Sequence, residues 1–187
     1  MNRIHVVGRK NHGKTTLIVE LIEEFTRLGL RVGAIKHTSH WHELDVPGKD
    51  SYQQRLAGAS PTAVVTADLI GMYVPRGADD DCYGRVAPLF SHCDLVLVEG
   101  HADADAARIE VWRRALGEPC LASQRTDIAA VVTDDRPEVG IPVWPRNGLP
   151  RLARTILLLS ISSSRNGGLT EWTAPGGGRM RTGAPSA

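Results

Sequence analysis

The run Gly8-Arg9-Lys10-Asn11-His12-Gly13-Lys14-Thr15-Thr16 has the residue types and spacing of a loop that binds phosphate. Gly8 and Gly13 free the backbone to turn successive N–H groups, those of Asn11 and His12 among them, toward phosphate oxygens at the start of the following helix. Lys14 is placed to reach the β- and γ-phosphates, the Thr15 hydroxyl to ligate Mg²⁺, and Thr16 to carry the loop into the helix. The chemistry implied is the binding of a nucleoside triphosphate. The alternative is a glycine-rich turn that caps an ordinary helix.

Such a loop works with a carboxylate at the end of a neighbouring strand, because Mg²⁺ keeps waters that an acidic side chain can orient. Glu99 follows the apolar run Leu95 to Val98, and Gly100 after it lets backbone approach the phosphate side. Glu99 is therefore the expected partner of Thr15 at the metal and a candidate catalytic group, while Asp94, at the other end of the run, is the weaker choice. Residues 35–62, IKHTSHWHELDVPGKDSYQQRLAGASPT, are the most polar and His-rich stretch and should overhang the site. Two readings are open. His37, His40 and His42 could hold Zn²⁺ or Ni²⁺, although no cysteine accompanies them. Alternatively the stretch is a switch, with Lys36 and His37 near the phosphates, Asp45 and Asp50 near Mg²⁺ or a catalytic water, and Gly48 as the pivot. The only lysines among 22 basic residues are Lys10, Lys14, Lys36 and Lys49. A chain that otherwise uses arginine keeps lysine where a planar fork does not fit, which groups Lys36 and Lys49 with Lys14. The base is harder to assign: the chain has no NKxD run, and Asp134 or Asp135 could accept from guanine N1 and N2, though a surface turn explains the pair equally well.

To position these groups the chain needs a sheet that presents strand ends side by side. Ile4–Val7, Val32–Ile35, Ala63–Thr66, Leu95–Val98 and Ile128–Val132 are short, continuously apolar runs of the kind found in parallel strands covered on both faces. Leu17, Leu21, Phe25 and Leu28 recur at helical spacing over Lys14–Leu28, and Gly29 ends that helix. A second long helix is expected from Leu149 to about Leu159, a short one over Ser51–Ala57, an edge-like hairpin near Leu69–Val74, and a solvated turn or helix start at Ala78–Asp81. The fold class is therefore α/β, a mostly parallel doubly wound sheet of the P-loop NTPase type with helices on both faces and ligand at the carboxyl ends of the strands.

Length and composition narrow the rest. The 187 residues, 42% hydrophobic, suffice for one domain over residues 1–160. Residues 161–187, rich in Ser, Gly and Pro, are expected to be a disordered tail. A formal charge of +1 without a basic–aromatic stripe gives no support for a nucleic-acid partner, and no apolar run approaches bilayer length. Cys82, Cys93 and Cys120 form no CxxC pair and read as reduced thiols of a cytoplasmic protein.

Three blocks together, VGRKNHGKTTL at 7–17, GAIKHTSHWHELDVPGKDSYQQRLAGA at 33–59 and DLVLVEG at 94–100, resemble the MobB family of molybdopterin-guanine dinucleotide biosynthesis adaptors. The middle block discriminates, since the phosphate loop alone is shared by many nucleotide-binding proteins. The resemblance implies a GTP-binding P-loop protein, usually a homodimer, with weak Mg²⁺-dependent GTPase activity. Its partners would be a molybdopterin-bearing species and the molybdenum cofactor guanylyltransferase, which joins GMP to molybdenum-bound molybdopterin. By position, Gly8, Gly13, Lys14, Thr15 and Thr16 match the family's phosphate loop; Lys36, His37, Asp45, Gly48, Lys49, Asp50 and Ser51 its second block; Glu99 and Gly100 its strand-end motif. Two positions depart. His12 replaces a small residue and is expected to narrow the loop or touch the γ-phosphate. His101 stands where an aromatic and a lysine often follow, leaving Arg108, Arg113 or Arg114 to supply charge. A small-molecule kinase and a metal-inserting GTPase are the competing readings.

Overall fold

The computed structural model describes residues 1–77 and 80–165, without the side chains of 164 and 165. In chain order its elements are β1 (Arg3–Val7), α1 (Lys14–Arg27), β2 (Val32–Lys36), α2 (Asp50–Leu56), β3 (Thr62–Val65), β4 (Ile70–Tyr73), α3 (Cys82–Val86), β5 (Leu95–Glu99), β6 (Arg108–Val111), β7 (Ala130–Val132), β8 (Val143–Trp144) and α4 (Leu149–Arg165). They fall into two compact units, one of Met1–His37 with the chain from Phe90 onward, the other Thr38–Leu89.

The first unit is built on a sheet of order β2-β5-β1-β6-β7-β8 in which every neighbouring pair is parallel. All six carboxyl ends therefore meet one edge, and β1 delivers its loop there between β5 and β6. Alternate residues of the central strands point to opposite faces. Ile4, Val6, Leu95, Leu97, Ile109, Val111, Ala130 and Val132 pack against Leu17, Ile18, Leu21 and Phe25 of α1 and Leu152, Ala153 and Ile156 of α4. On the opposite face Trp112, Cys120 and Val131 form a smaller cluster with Ala122, Val139 and Ile141. Helix α1 stops as its sequence predicts: Gly29 takes φ +81, and the Leu30 and Gly29 amides donate to the Phe25 and Thr26 carbonyls, closing the last turn.

Strand β6 has no counterpart among the apolar runs, because its sequence, Arg-Ile-Glu-Val, alternates charge with hydrocarbon. All four residues are nevertheless buried. The Glu110 carboxylate accepts from the Leu121 and Ala122 amides at 2.7 and 2.8 Å and from the Cys120 thiol at 3.0 Å. Arg108 donates to the carbonyls of Ala102, Ala104 and Ala106 and pairs with Asp127. Charge buried with this many partners is tolerated in a core. Strand β8 is a two-residue element, too short to leave a periodic signal.

The second unit corrects one assignment. The run Ala63–Thr66, expected as a buried parallel strand, is β3, paired antiparallel with β4 in a separate hairpin. Its apolar residues cover no core: Val65, Ile70 and Leu69 are 71, 72 and 69% exposed. A short apolar run looks the same whether it is buried or lies in an exposed hairpin. Asp81 caps α3 by accepting from the Gly84 amide at 2.9 Å, which makes it the helix start anticipated there; Ala78 and Asp79 lie outside the described residues. Helix α4 also continues through Arg165, so residues 161–165 are helical rather than tail. The expectation for residues 166–187 lies outside the described residues.

Candidate nucleotide site

The segment between β1 and α1 is shaped by three left-handed residues. Gly8 has φ +138, Asn11 φ +66 and Gly13, at the N-cap of α1, φ +94. Gly8 is required twice over, because a Cβ there would stand 2.4 Å from the Val111 carbonyl oxygen. The loop wraps back on itself, the Lys14 ammonium donating to the Arg9 carbonyl at 2.6 Å. Burial lowers the Lys14 pKa, Glu99 opposes that shift and Lys36 adds to it. Such a lysine has little hydration to lose when an anion arrives.

Next to this loop, β5 ends in Glu99. The Thr15 hydroxyl lies 3.0 Å from both Glu99 carboxylate oxygens, and the Lys36 ammonium 3.8 Å from one of them. Lys36 and Glu99 are register partners on β2 and β5, so three adjacent strand ends bring Lys14, Thr15, Lys36 and Glu99 together. The His37 amide donates to the Glu99 carbonyl at 2.9 Å. Gly100 takes φ +87, and a Cβ on it would lie 2.9 Å from the His37 carbonyl oxygen. A hydroxyl against a carboxylate is a hard-oxygen donor set of the kind Mg²⁺ uses when phosphate and water complete its shell. Among the described residues no group of three or more His, Cys, Asp or Glu side chains could hold a metal ion.

The two departures acquire structural roles. His12 is fully buried; its Nδ1 accepts from the Arg113 amide at 3.0 Å and its Nε2 lies 3.3 Å from Glu118 Oε2. The hydrogen is thereby placed on Nε2. The imidazole points into the protein and ties the loop to residues 113–118, which corrects the expected γ-phosphate contact; what His12 can offer a phosphate is its backbone N–H. His101, at φ +56, stacks its ring on His37 with centroids 3.9 Å apart and planes 10° from parallel. Sequence reasoning missed Glu118 and the His101 stack, both of which depend on turns between distant segments.

Asp45, Lys49 and Asp50 belong to the second unit. Asp45 is buried, and its Oδ1 accepts from the Val46 amide at 2.8 Å and the Ser51 hydroxyl at 3.0 Å, joining the loop to the first turn of α2. Lys49 and Asp50 are exposed at the start of that helix. Arg55 pairs with Glu43 at 2.7 Å. Asp134 and Asp135, considered for the base, each accept a backbone amide at 2.8 Å, from Asn147 and Arg114 respectively, which ties the pair to two other segments. The arginines between 101 and 127 that a kinase lid would mobilise are largely fixed: Arg125 holds Asp103 at 2.7 Å and Asp127 at 2.8 Å, and Arg108 is buried.

A parallel sheet with β1 inside it, a glycine-shaped loop at its carboxyl edge and a helix starting on that loop define a P-loop NTPase-like fold. The family model of MobB, molybdopterin guanine dinucleotide synthesis protein B, matches residues 3–134, and the chain belongs to this family. It is 38% identical over 108 residues to the molybdopterin-guanine dinucleotide biosynthesis adapter protein of Escherichia coli, a match covering 56% of this chain and 62% of that protein. The Haemophilus influenzae adapter is 30% identical over 152 residues, covering 79 and 83%. The crystal structure of Bacillus subtilis MobB superposes with a TM-score of 0.63 at 28% identity, covering 84% of this chain and 96% of that one.

Proposed function

We propose that the protein is a GTP-binding adaptor of molybdenum cofactor biosynthesis that assists conversion of molybdenum-bound molybdopterin to its guanine dinucleotide form. The observation that carries the nucleotide part is the convergence of Lys14, Thr15, Lys36 and Glu99 on one strand edge. In this reading the backbone from Gly8 to Gly13 and the Lys14 ammonium hold the β- and γ-phosphates, with Thr16 behind them at the start of α1. Thr15 and Glu99 hold Mg²⁺, which when bound neutralises phosphate charge. Lys36, 3.8 Å from the Glu99 carboxylate, orients it, and Gly100 leaves room for backbone approach. Lys49, Asp45 and Asp50 are assigned to a segment that responds to the triphosphate. The adaptor part rests on family membership and on the names of the relatives; it includes a guanylyltransferase partner and a homodimeric, cytoplasmic protein. The exposed apolar side chains of the β3–β4 hairpin support self-association, since contiguous exposed hydrocarbon commonly marks an interface.

The assignment is tested by calorimetry on two variants. Lys14→Ala is expected to lower GTP affinity at least about a hundredfold, the loss of a desolvated charge-assisted contact. Thr15→Ala is expected to weaken binding chiefly when Mg²⁺ is present. Unchanged affinity in both variants overturns the site.

A further inference from the structure

Arg113 is a cation beside the phosphate loop whose side chain has no salt-bridge partner among the described residues. Its backbone is extended (φ −136, ψ 122), so the alternation of β6 carries on through it. Val111 faces the α1 side of the sheet and Trp112 the opposite side, and Arg113 returns to the α1 side, where the phosphate loop lies. The guanidinium covers Gly13: a Cβ built on that glycine would stand 2.9 Å from an Arg113 terminal nitrogen. The backbone beneath it is anchored by the hydrogen bond from the Arg113 amide to His12, and the segment is clasped again where Arg9 Nε donates to the Pro119 carbonyl at 3.3 Å. Its neighbours are occupied. Arg108 is buried among carbonyls and Asp127; Arg114 donates to the Arg136 carbonyl and lies 5.9 Å from the Trp112 ring centre. Arg113, by contrast, is exposed and has no salt-bridge partner among the described residues. An exposed guanidinium against a phosphate loop, without a carboxylate to neutralise it, is suited to an anionic ligand.

The side from which it approaches says which part of the ligand it meets. Thr15 and Glu99 sit on the β5 flank of β1, and a metal held there takes the β/γ end of a triphosphate. The nucleoside-linked end then leaves toward the other flank, which is β6. We propose that Arg113 is a nucleotide-binding residue that contacts the α-phosphate, acting on diphosphate and triphosphate alike and independently of Mg²⁺. The inference rests on the nucleotide reading of the site.

The test is calorimetric titration of the full chain and of its Arg113→Ala, Arg113→Lys and Lys14→Ala variants with GTP and GDP, with and without Mg²⁺. Arg113→Ala is expected to weaken GTP and GDP by a similar factor, about tenfold, at either Mg²⁺ condition, and Arg113→Lys to recover part of that loss. If GTP weakens and GDP does not, the α-phosphate placement is overturned. If Arg113→Ala binds like the unaltered chain while Lys14→Ala does not bind, the Arg113 inference alone fails. If the unaltered chain binds neither nucleotide, or Lys14→Ala changes nothing, the site reading falls and takes this inference with it.

Discussion

His5 shows how much a single buried group contributes at the edge of this site. It lies within β1, fully buried, with Nδ1 3.1 Å from the Gly100 carbonyl oxygen and its ring edge-on to His101 at 6.0 Å. Burial pulls its pKa down from 6.5 to about 4, the Gly100 hydrogen bond opposes the shift, and Arg3, His101 and Arg108 add positive charge that deepens it. Between pH 4 and 6.5 the unfolded chain therefore binds a proton that the folded chain refuses. Stability rises with pH through that window, is fully present above it and is lost as pH falls, by on the order of 3 kcal/mol. Urea unfolding from pH 4 to 7 should show this slope, and His5→Leu should flatten it. Parallel curves for both proteins would mean that the buried imidazole does not govern acid stability. At the same scale, burial and Glu110 push the Cys120 thiol up to about 12, which keeps it protonated and unreactive.

Among the elements, the phosphate loop is held from both flanks. On one side β5 supplies Glu99; on the other the segment after β6 is tied to His12. Removing that tie with His12→Ala leaves the Arg113 amide without its acceptor, and should cost about 1–3 kcal/mol, read as a lower urea midpoint at unchanged slope. His12→Asn, whose Oδ1 can stand near the position of Nδ1, should recover part of it; an unaltered midpoint in the alanine variant would show the tie to be dispensable. The loop, α1, β1, β2 and β5 were legible in the sequence because apolar periodicity and the glycine–lysine–threonine spacing are local signals. Strand β6 was not legible: Arg108 and Glu110 look like surface residues until the carbonyls and amides that satisfy them are brought from residues 102–122. The sequence offers Arg113 only as one of three arginines able to supply charge, since its direction depends on β6 being a strand. Val64 and Val65 misled in the opposite sense, hydrophobic in type but belonging to a hairpin outside the main core.

For the whole molecule, none of the helices among the described residues is long and apolar enough to cross a membrane, and the hydrocarbon left exposed is concentrated on the second unit. Proposed homodimerisation predicts a mass in light scattering of about twice the 20.3 kDa chain; the mass of one chain at micromolar concentration would contradict it. The proposed nucleotide binding rests on the fold and its strand-edge site, and the adaptor role on family membership. The two readings meet in the identity of the base. Titration calorimetry of the full chain with GTP and with ATP, each with and without Mg²⁺, is therefore the most direct test. Clear preference for GTP, strengthened by Mg²⁺, is expected. Equal binding of the two nucleotides, or preference for ATP, would contradict it.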